Sequence, residues 1–228
     1  MCKVFQKMTR KDIYEEINYI TQELIALGIS VEENFPSMRR ETSGEYIVDW
    51  GRTDNISIAL RNIPYNIVYD ELDKSDNYSL KLVDESLLQF MYLFEEDELV
   101  KHRLAYYPSP HIHRHQENVH LLGDRELYEE ILYKNIVPFP IRFDYSSSDE
   151  VHIDTHHSKS HITLGHYKNC RIPVNTPVTP SLFIDFILRN FYSNFYRYSD
   201  FSFHSRINLL DEAITDNERK VLHFNIQS

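Results

Sequence analysis

Two strand-like stretches separated by four acidic residues limit the folds open to this chain more than any other feature. Residues 87–94 and 99–107 are rich in leucine, phenylalanine and tyrosine, and residues 95–98 read Glu-Glu-Asp-Glu. Apolar and aromatic runs on either side of a short polar segment are typical of a β-hairpin. Pro108 and Pro110 end the second run, because proline cannot donate a ladder hydrogen bond. The sequence therefore predicts a long antiparallel hairpin near the middle of the chain.

Helix signals lie towards the two ends of the chain. Thr9 can cap a helix over residues 10–27, whose apolar positions recur at helical spacing, and Gly28 can end it. Thr179 can cap a second helix, which has Pro180 in its first turn and an apolar stripe rich in phenylalanine. Both apolar stripes are predicted to face the core.

Shorter strand-like runs flank the hairpin at residues 45–50, 56–60, 138–145, 161–165 and 170–174. We expect residues 30–44 to be a connection, 70–78 a polar surface loop and 125–135 a short helix. These elements predict an α+β fold: a mostly antiparallel, curved sheet from the middle of the chain, with N-terminal and C-terminal helices packed on it. No linker-like stretch divides the chain, so residues 1–228 are predicted to form a single α+β domain.

Charge and composition indicate what the chain can bind and in which compartment it is expected. Residues 1–100 have a net charge of −10 and residues 101–228 a net charge of −1, so only the second half is expected to face nucleic acid or another anion. The chain has two cysteines, no apolar signal segment at its N-terminus and no apolar run of about 18 residues. It is therefore predicted to be a cytoplasmic protein without a membrane span.

All twelve histidines follow residue 100, and ten of them lie between His102 and His166. Two clusters hold most of these: first His111, His113, His115 and His120, and then His152, His156, His157, His161 and His166. Imidazole changes its charge near neutral pH and is a common metal ligand. The clustering therefore predicts a functional site without naming its reaction.

Strand alternation gathers charged residues on one face of the predicted sheet. Within residues 141–145, Arg142 and Asp144 share a face, because successive side chains of a strand point to opposite sides. If the neighbouring strands pair with this one, that face collects Arg103, Tyr107, Arg142, Asp144, His161 and Arg171. Arginine binds phosphate through paired hydrogen bonds and histidine can transfer a proton, so this face suits an anionic substrate.

The residues of this face suggest roles in phosphodiester cleavage. We expect His161 and His157 to act as general acid and base, and Asp144 to orient the imidazole. The predicted substrate-binding residues are Arg142 and Arg171 as phosphate clamps, together with Arg103 and Tyr107. The chain has no glycine-rich phosphate loop and no dinucleotide-binding pattern, and the sequence identifies no cofactor.

Two other interpretations of these residues stay open. The arginines and Asp144 would form an ion-pair network whose only role is to hold the strands together. Alternatively, the histidine clusters would bind a metal ion, since His111, His113 and His115 project from one side if that segment is extended. None of the histidine spacings matches a zinc signature, so no metal ligand is assigned, and a metal-dependent hydrolase is the third hypothesis for the function.

Five motifs between residues 102 and 192 carry a family resemblance. They read His-Arg-Leu-Ala-Tyr-Tyr-Pro-Ser-Pro from residue 102, Pro-Ile-Arg-Phe-Asp-Tyr from 140, Ser-His-Ile-Thr-Leu-Gly from 160, Asn-Cys-Arg-Ile-Pro-Val from 169, and Pro-x-x-Phe-x-x-Phe-Ile-Leu-Arg-Asn-Phe-Tyr from 180. With these motifs the chain resembles an uncharacterised bacterial family, domain of unknown function 2290, along its whole length. The resemblance implies no particular activity.

A weaker likeness is to small toxins of bacterial toxin–antitoxin pairs. Those proteins also show a tyrosine-rich hairpin, an Arg-(Phe/Tyr)-Asp strand and a histidine-rich segment after it. Here the three features map to Tyr106 and Tyr107, to Arg142 and Asp144, and to His156, His157 and His161. This likeness is a fold-level analogy.

Two functions follow from the sequence. The leading hypothesis is a cytoplasmic bacterial protein of toxin or phage-defence type that acts on a nucleic acid or nucleotide, as a phosphodiesterase or nuclease, through the His/Arg/Asp site. The alternative is a non-enzymatic subunit that binds a partner protein within a multi-component defence or regulatory system. The net charge of −11 favours the subunit, and the clustering of the histidines favours the enzyme.

Overall fold

The fold is known from a computed structural model, which describes residues 8–51, 63–113, 117, 138–167, 169–198 and 210–226. Its strands are β1 (Ser30–Glu33), β2 (Ser37–Arg40), β3 (Tyr46–Asp49), β4 (Leu80–Leu82), β5 (Leu87–Glu95), β6 (Glu98–Tyr107), β7 (Ile141–Ser146), β8 (Ser160–Leu164) and β9 (Ile172–Pro173). Its helices are α1 (Arg10–Ala26), α2 (Tyr65–Lys74), α3 (Pro180–Phe191) and α4 (Ser193–Tyr198), followed by a short 3₁₀ turn, Glu218–Lys220. None of the helices in these ranges has the length and apolar character needed to cross a membrane.

Both predicted terminal helices are confirmed, together with their caps. In α1 the Thr9 hydroxyl accepts a hydrogen bond from the Asp12 backbone N–H, and the Asp12 carboxylate accepts one from the Thr9 N–H, which is a capping box. Gly28, with a φ of +70°, follows the last turn of α1. In α3 the Thr179 hydroxyl accepts from the backbone N–H of Leu182. These side-chain caps fix where each helix begins.

The predicted hairpin forms the centre of the sheet. Strands β5 and β6 pair antiparallel over almost their whole length, and the sheet continues β1-β4-β5-β6-β7-β8-β9. The β2–β3 hairpin joins the same edge of β5 as β4, because β4 pairs with the beginning of β5 and β3 with its end. All pairings between these strands are antiparallel, so the predicted α+β class, with an antiparallel sheet and helices from both ends, is confirmed.

The two faces of the sheet are covered differently. On one face α1 and α3 pack over buried side chains such as Phe90, Leu104 and Phe143, and the Phe90 and Phe183 rings meet edge to face with centroids 5.5 Å apart. On the other face α2 covers a smaller apolar cluster that includes Tyr107. Next to α2, over β6, β7 and β8, this second face is open to solvent and presents charged side chains.

Two predicted loops are wrong. Residues 30–44 contain β1 and β2, which are only four residues long and mostly exposed, so they lack the apolar alternation that marks a strand. The predicted loop 70–78 overlaps α2, whose buried Val68, Tyr69 and Leu72 form a narrow apolar stripe among polar residues. The predicted strand 56–60 and helix 125–135 lie outside the described residues.

Candidate active site

The open part of the second face forms a cavity of about 840 Å³. Its floor is formed by β6, β7 and β8, and its rim by the loops that precede and follow β8. The residues that line it are mostly basic, polar or histidine: Lys101, Arg103, Arg142, Asp144, Tyr145, Ser146, Val151, His152, His157, Ser158, Lys159, His161, Thr163, His166, Tyr167 and Arg171.

The register of the strands places the charged residues side by side. Asp144 of β7 lies opposite Arg103 of β6 and opposite His161 of β8, so all three share one face. The Arg103 Nε donates to Asp144 Oδ1 over 3.1 Å, and Arg142 Nε lies 3.8 Å from Asp144 Oδ2. Of the residues predicted for this face, the structure brings Arg103, Arg142, Asp144, His161 and Arg171 to one cavity.

The carboxylate of Asp144 is held in its charged form. Burial alone would raise its pKa, but Arg103 and Arg142 outweigh that effect and lower the pKa of Asp144 to about 2. Asp144 therefore carries a full negative charge at neutral pH between two guanidinium groups. Since two cations face a single anion, the floor of the cavity retains net positive charge.

His161 is oriented by a backbone group. Its Nδ1 lies 2.8 Å from the carbonyl oxygen of Ser158. A carbonyl can only accept, so Nδ1 carries the proton, and in the neutral ring Nε2 is left as the basic atom. The sequence predicted Asp144 as the orienting group, but the carbonyl oxygen of Ser158 accepts this hydrogen bond, while Asp144 acts on His161 through its charge.

His157 forms an imidazole pair with His161. The two rings meet edge to face with centroids 5.2 Å apart, because the tight turn from Ile153 to His157 brings the loop back over β8. Burial lowers the pKa of both histidines, and the nearby charge of Arg171 lowers them further, whereas Asp144 raises them. At neutral pH both imidazoles are therefore largely uncharged and able to accept a proton.

Tyr107 is the predicted site residue that the structure places elsewhere. It lies on the predicted face of β6 but is fully buried under α2, where it packs with Val68, Tyr69 and Leu72. It is not among the residues that line the described cavity. The sequence could not show this separation, because α2 itself was not recognised there.

One histidine of the cluster has a structural environment. His102 is fully buried, and its Nε2 accepts a hydrogen bond of 3.0 Å from the backbone N–H of Val178. Burial lowers the pKa of His102 to about 3, so the ring is neutral. His102 thus connects β6 to the segment before α3 on the face opposite the cavity.

A possible metal-binding group lies beside the cavity. Ligand atoms of His152, Asp154 and Glu218 lie within 4.8 Å of one another, and His152 Nε2 is 3.2 Å from Glu218 Oε1. Both carboxylates already accept hydrogen bonds from the C-terminal segment, Asp154 from Thr215 and Asn217 and Glu218 from the Thr215 N–H. The group therefore has an evident structural role, which is to join the loop before β8 to the C-terminal segment.

The first histidine cluster does not form such a group in the part of the chain that the structure describes. His111 pairs with Asp70 of α2 at 2.8 Å, and its ring centroid lies 6.5 Å from that of His113. His115 and His120 lie outside the described residues. The metal hypothesis for His111, His113 and His115 thus gains no support from the described residues.

Sequence reasoning missed several residues of the cavity. Lys101 and Thr163 line it and could have been found by the same alternation, since each lies two positions from a predicted site residue on its strand. The contribution of Ser158 is a backbone carbonyl, which leaves no signal in the residue type. His166 was visible only as a member of the histidine cluster.

A family model described as an uncharacterized conserved protein (DUF2290) matches residues 29–226. The chain belongs to this family. The DUF2290 match contains every strand in the described part of the chain and every residue that lines the described cavity, whereas α1 precedes it. No curated protein and no solved structure matches the chain. The geometry of the cavity is therefore the basis for any functional proposal.

Proposed function

We propose that this DUF2290 protein is a phosphodiesterase or nuclease of toxin or phage-defence type, which acts on a nucleic acid or nucleotide in the bacterial cytoplasm. The observation that carries the proposal is the imidazole pair of His157 and His161 beside Arg142 and Arg171 in one cavity. Two proton-transfer groups and several guanidinium groups are the parts that cleavage of a phosphate ester needs.

In the proposed reaction the two histidines take opposite roles. The Nε2 of His161 accepts the proton of the attacking hydroxyl or water, whose oxygen forms the new bond to phosphorus. The bond between phosphorus and the leaving oxygen breaks, and that oxygen takes a proton from the protonated ring of His157. The Ser158 carbonyl keeps the proton of His161 on Nδ1, and Asp144 stabilises the imidazolium that forms.

The arginines bind the phosphate and stabilise its charge. Arg142 and Arg171 line the cavity and serve as the clamps on the non-bridging oxygens. Arg103 is held by Asp144, so its main role in the proposal is to position that carboxylate. Lys101 of β6 adds positive charge to the cavity lining, which favours entry of a polyanion.

The test is degradation of labelled RNA, DNA and nucleotides by the purified protein, with and without divalent metal ions. We expect cleavage by the wild type and a loss of at least about 100-fold in the His161→Ala variant, the usual contribution of general acid–base catalysis. His113→Ala is the matched control, since His113 is exposed and outside the cavity. Cleavage that persists in His161→Ala, with the fold intact by circular dichroism, would reject the assignment.

A second candidate is the protein-binding subunit. The observation that favours it is a set of exposed apolar side chains near the β1 edge of the sheet, namely Val31, Phe35 and Met38, which are 53%, 50% and 41% exposed. Purified protein that cleaves none of the substrates, but recovers one stoichiometric partner from its native host, would favour this function. Loss of that partner in a Val31→Glu/Phe35→Glu variant would locate the contact.

A further inference from the structure

Arg142 is buried with unused hydrogen-bonding capacity. Its side chain is 12% exposed, yet Nε and Nη1 have no hydrogen-bond partner in the described part of the chain. The Asp144 Oδ2 at 3.8 Å from Nε gives charge attraction but is too distant for a hydrogen bond. A buried guanidinium with unsatisfied donors is costly, so these nitrogens are well suited to bind an anionic group.

His166 has the same property in the same cavity. Its Nε2 is buried and also lacks a partner among the described residues. Its ring lies against Tyr65 of α2, with centroids 6.0 Å apart, and the Tyr65 hydroxyl donates to the Pro108 carbonyl oxygen. Burial first, and then the charge of Arg142, lower the pKa of His166, so the two side chains affect each other electrostatically. Aromatic contact thus holds the His166 ring in place although its nitrogen is unpaired.

The neighbourhood of these atoms is closed on one side. Tyr107 is fully buried under α2, and burial raises the pKa of its hydroxyl while the charges of Arg142 and Arg103 lower it. Arg142 also lies opposite Ala105 of β6, which belongs to the same cluster under α2, and the His166 ring contacts Tyr65 of α2. Helix α2 therefore bounds this end of the cavity, which favours the end of a polymer over its middle.

We propose that Arg142 and His166 form a subsite for the terminal phosphate of the substrate. Unpaired nitrogens of Arg142 and His166 line one cavity, and a phosphate monoester offers them three non-bridging oxygens and up to two negative charges, whereas an internal diester offers two oxygens and one charge. The inference rests on the proposed function and narrows it: the substrate is a nucleotide or an oligonucleotide with a phosphorylated end. In this arrangement Arg142 binds the terminal phosphate, and Arg171 is left as the clamp on the neighbouring phosphate, whose ester bond the histidine pair cleaves.

Binding of inorganic phosphate tests the subsite without any cleavage. Titration calorimetry at constant ionic strength compares the wild type with Arg142→Gln and His166→Leu, and with His113→Ala as the matched control, since His113 is exposed and does not line the cavity. We expect saturable binding of one phosphate, at least about tenfold weaker in the first two variants, as loss of a charge-assisted hydrogen bond implies, and unchanged in His113→Ala. If Arg142→Gln does not fold, the phosphate affinity of His166→Leu still tests the subsite.

The outcomes separate the subsite from the proposed reaction. Phosphate binding that depends on Arg142 and His166, in a protein that cleaves nothing, keeps the subsite and rejects the phosphodiesterase. Cleavage that depends on His161, with phosphate binding absent or unchanged in both subsite variants, overturns the subsite. A short RNA provides a second measure, compared with and without its terminal phosphate. For the wild type, removal of that phosphate should raise the KM about tenfold, whereas for His166→Leu the KM values of the two RNAs should be equal.

Discussion

Replacing Asp144 by Asn should destabilise the protein strongly, because its carboxylate is the anion that faces two buried arginines. Asp144 is 17% exposed, Arg103 8% and Arg142 12%. The pKa of Asp144 falls from 3.8 to about 2 in the fold. Each unit corresponds to about 1.36 kcal/mol, so the charged form contributes roughly 2 kcal/mol to stability at neutral pH. Asn leaves Arg103 without its anion, and removing one member of a buried pair typically costs about 3–5 kcal/mol.

We therefore expect the free energy of unfolding of Asp144→Asn to fall by about 3 kcal/mol, which lowers the melting temperature by roughly 6–12 °C. Urea unfolding followed by circular dichroism measures this difference. Asp149→Asn is the matched control: Asp149 also pairs with a cation, Lys159, but is 90% exposed, so its loss should cause no measurable change. Both variants replace a carboxylate by an amide of the same size.

The pH dependence of the free energy of unfolding tests independently whether the charged form of Asp144 stabilises the fold. Because the folded state lowers the pKa of Asp144, its contribution is complete above the unfolded value of about 3.8 and is lost as the pH falls towards 2. The difference between the wild type and Asp144→Asn should therefore shrink over that range. Equal stability of the two proteins at pH 7, or a difference no larger than that of Asp149→Asn, would refute the idea that the Asp144 charge supports the sheet.

Three further predictions concern other parts of the molecule. Burial lowers the pKa of both His157 and His161 below the ordinary value of 6.5, and the proposed reaction needs one of the two rings protonated. The pH–rate profile of cleavage should therefore peak below pH 6.5, and a maximum above that value would contradict the assigned pair. Burial lowers the pKa of His102 to about 3, so between pH 6.5 and 3 this histidine is protonated in the unfolded chain but not in the folded one. The free energy of unfolding should therefore fall more steeply over this range in the wild type than in His102→Gln, and urea unfolding at several pH values measures the difference. Thr9→Ala removes the α1 cap and should lower the free energy of unfolding by about 1 kcal/mol, with an unchanged urea dependence; no loss would contradict the role of the capping box.

The elements that could be predicted from sequence are those whose signals are local. The β5–β6 hairpin has two long apolar strands around an acidic tip, and α1 and α3 have side-chain caps and wide apolar stripes. The charged face followed from alternation because β6, β7 and β8 are neighbours that pair without a shift between Arg103, Asp144 and His161. A slip of one residue would have sent these side chains to opposite faces.

The features that were missed depend on tertiary contacts. Helix α2 buries only Val68, Tyr69 and Leu72, and it is stabilised by packing on β5 and β6. The position of α2 then determines that Tyr107 is closed off from the cavity. The orienting role of the Ser158 carbonyl depends on the path of the loop before β8, which no residue type in that loop specifies.

The segment of residues 210–226 affects how truncation experiments on this protein should be interpreted. Asn175, which follows β9, exchanges backbone and side-chain hydrogen bonds with Ala213, Asn225 and Ile226, and Glu218 holds His152 on the loop that carries His157. A deletion of residues 210–226 would remove the hydrogen bonds that hold that loop, without removing any proposed catalytic side chain. A loss of activity in such a deletion would then be assigned to residues 210–226, although the proposed chemistry is performed by residues that precede them in the chain. Point substitutions in the cavity are therefore the sound way to locate the site.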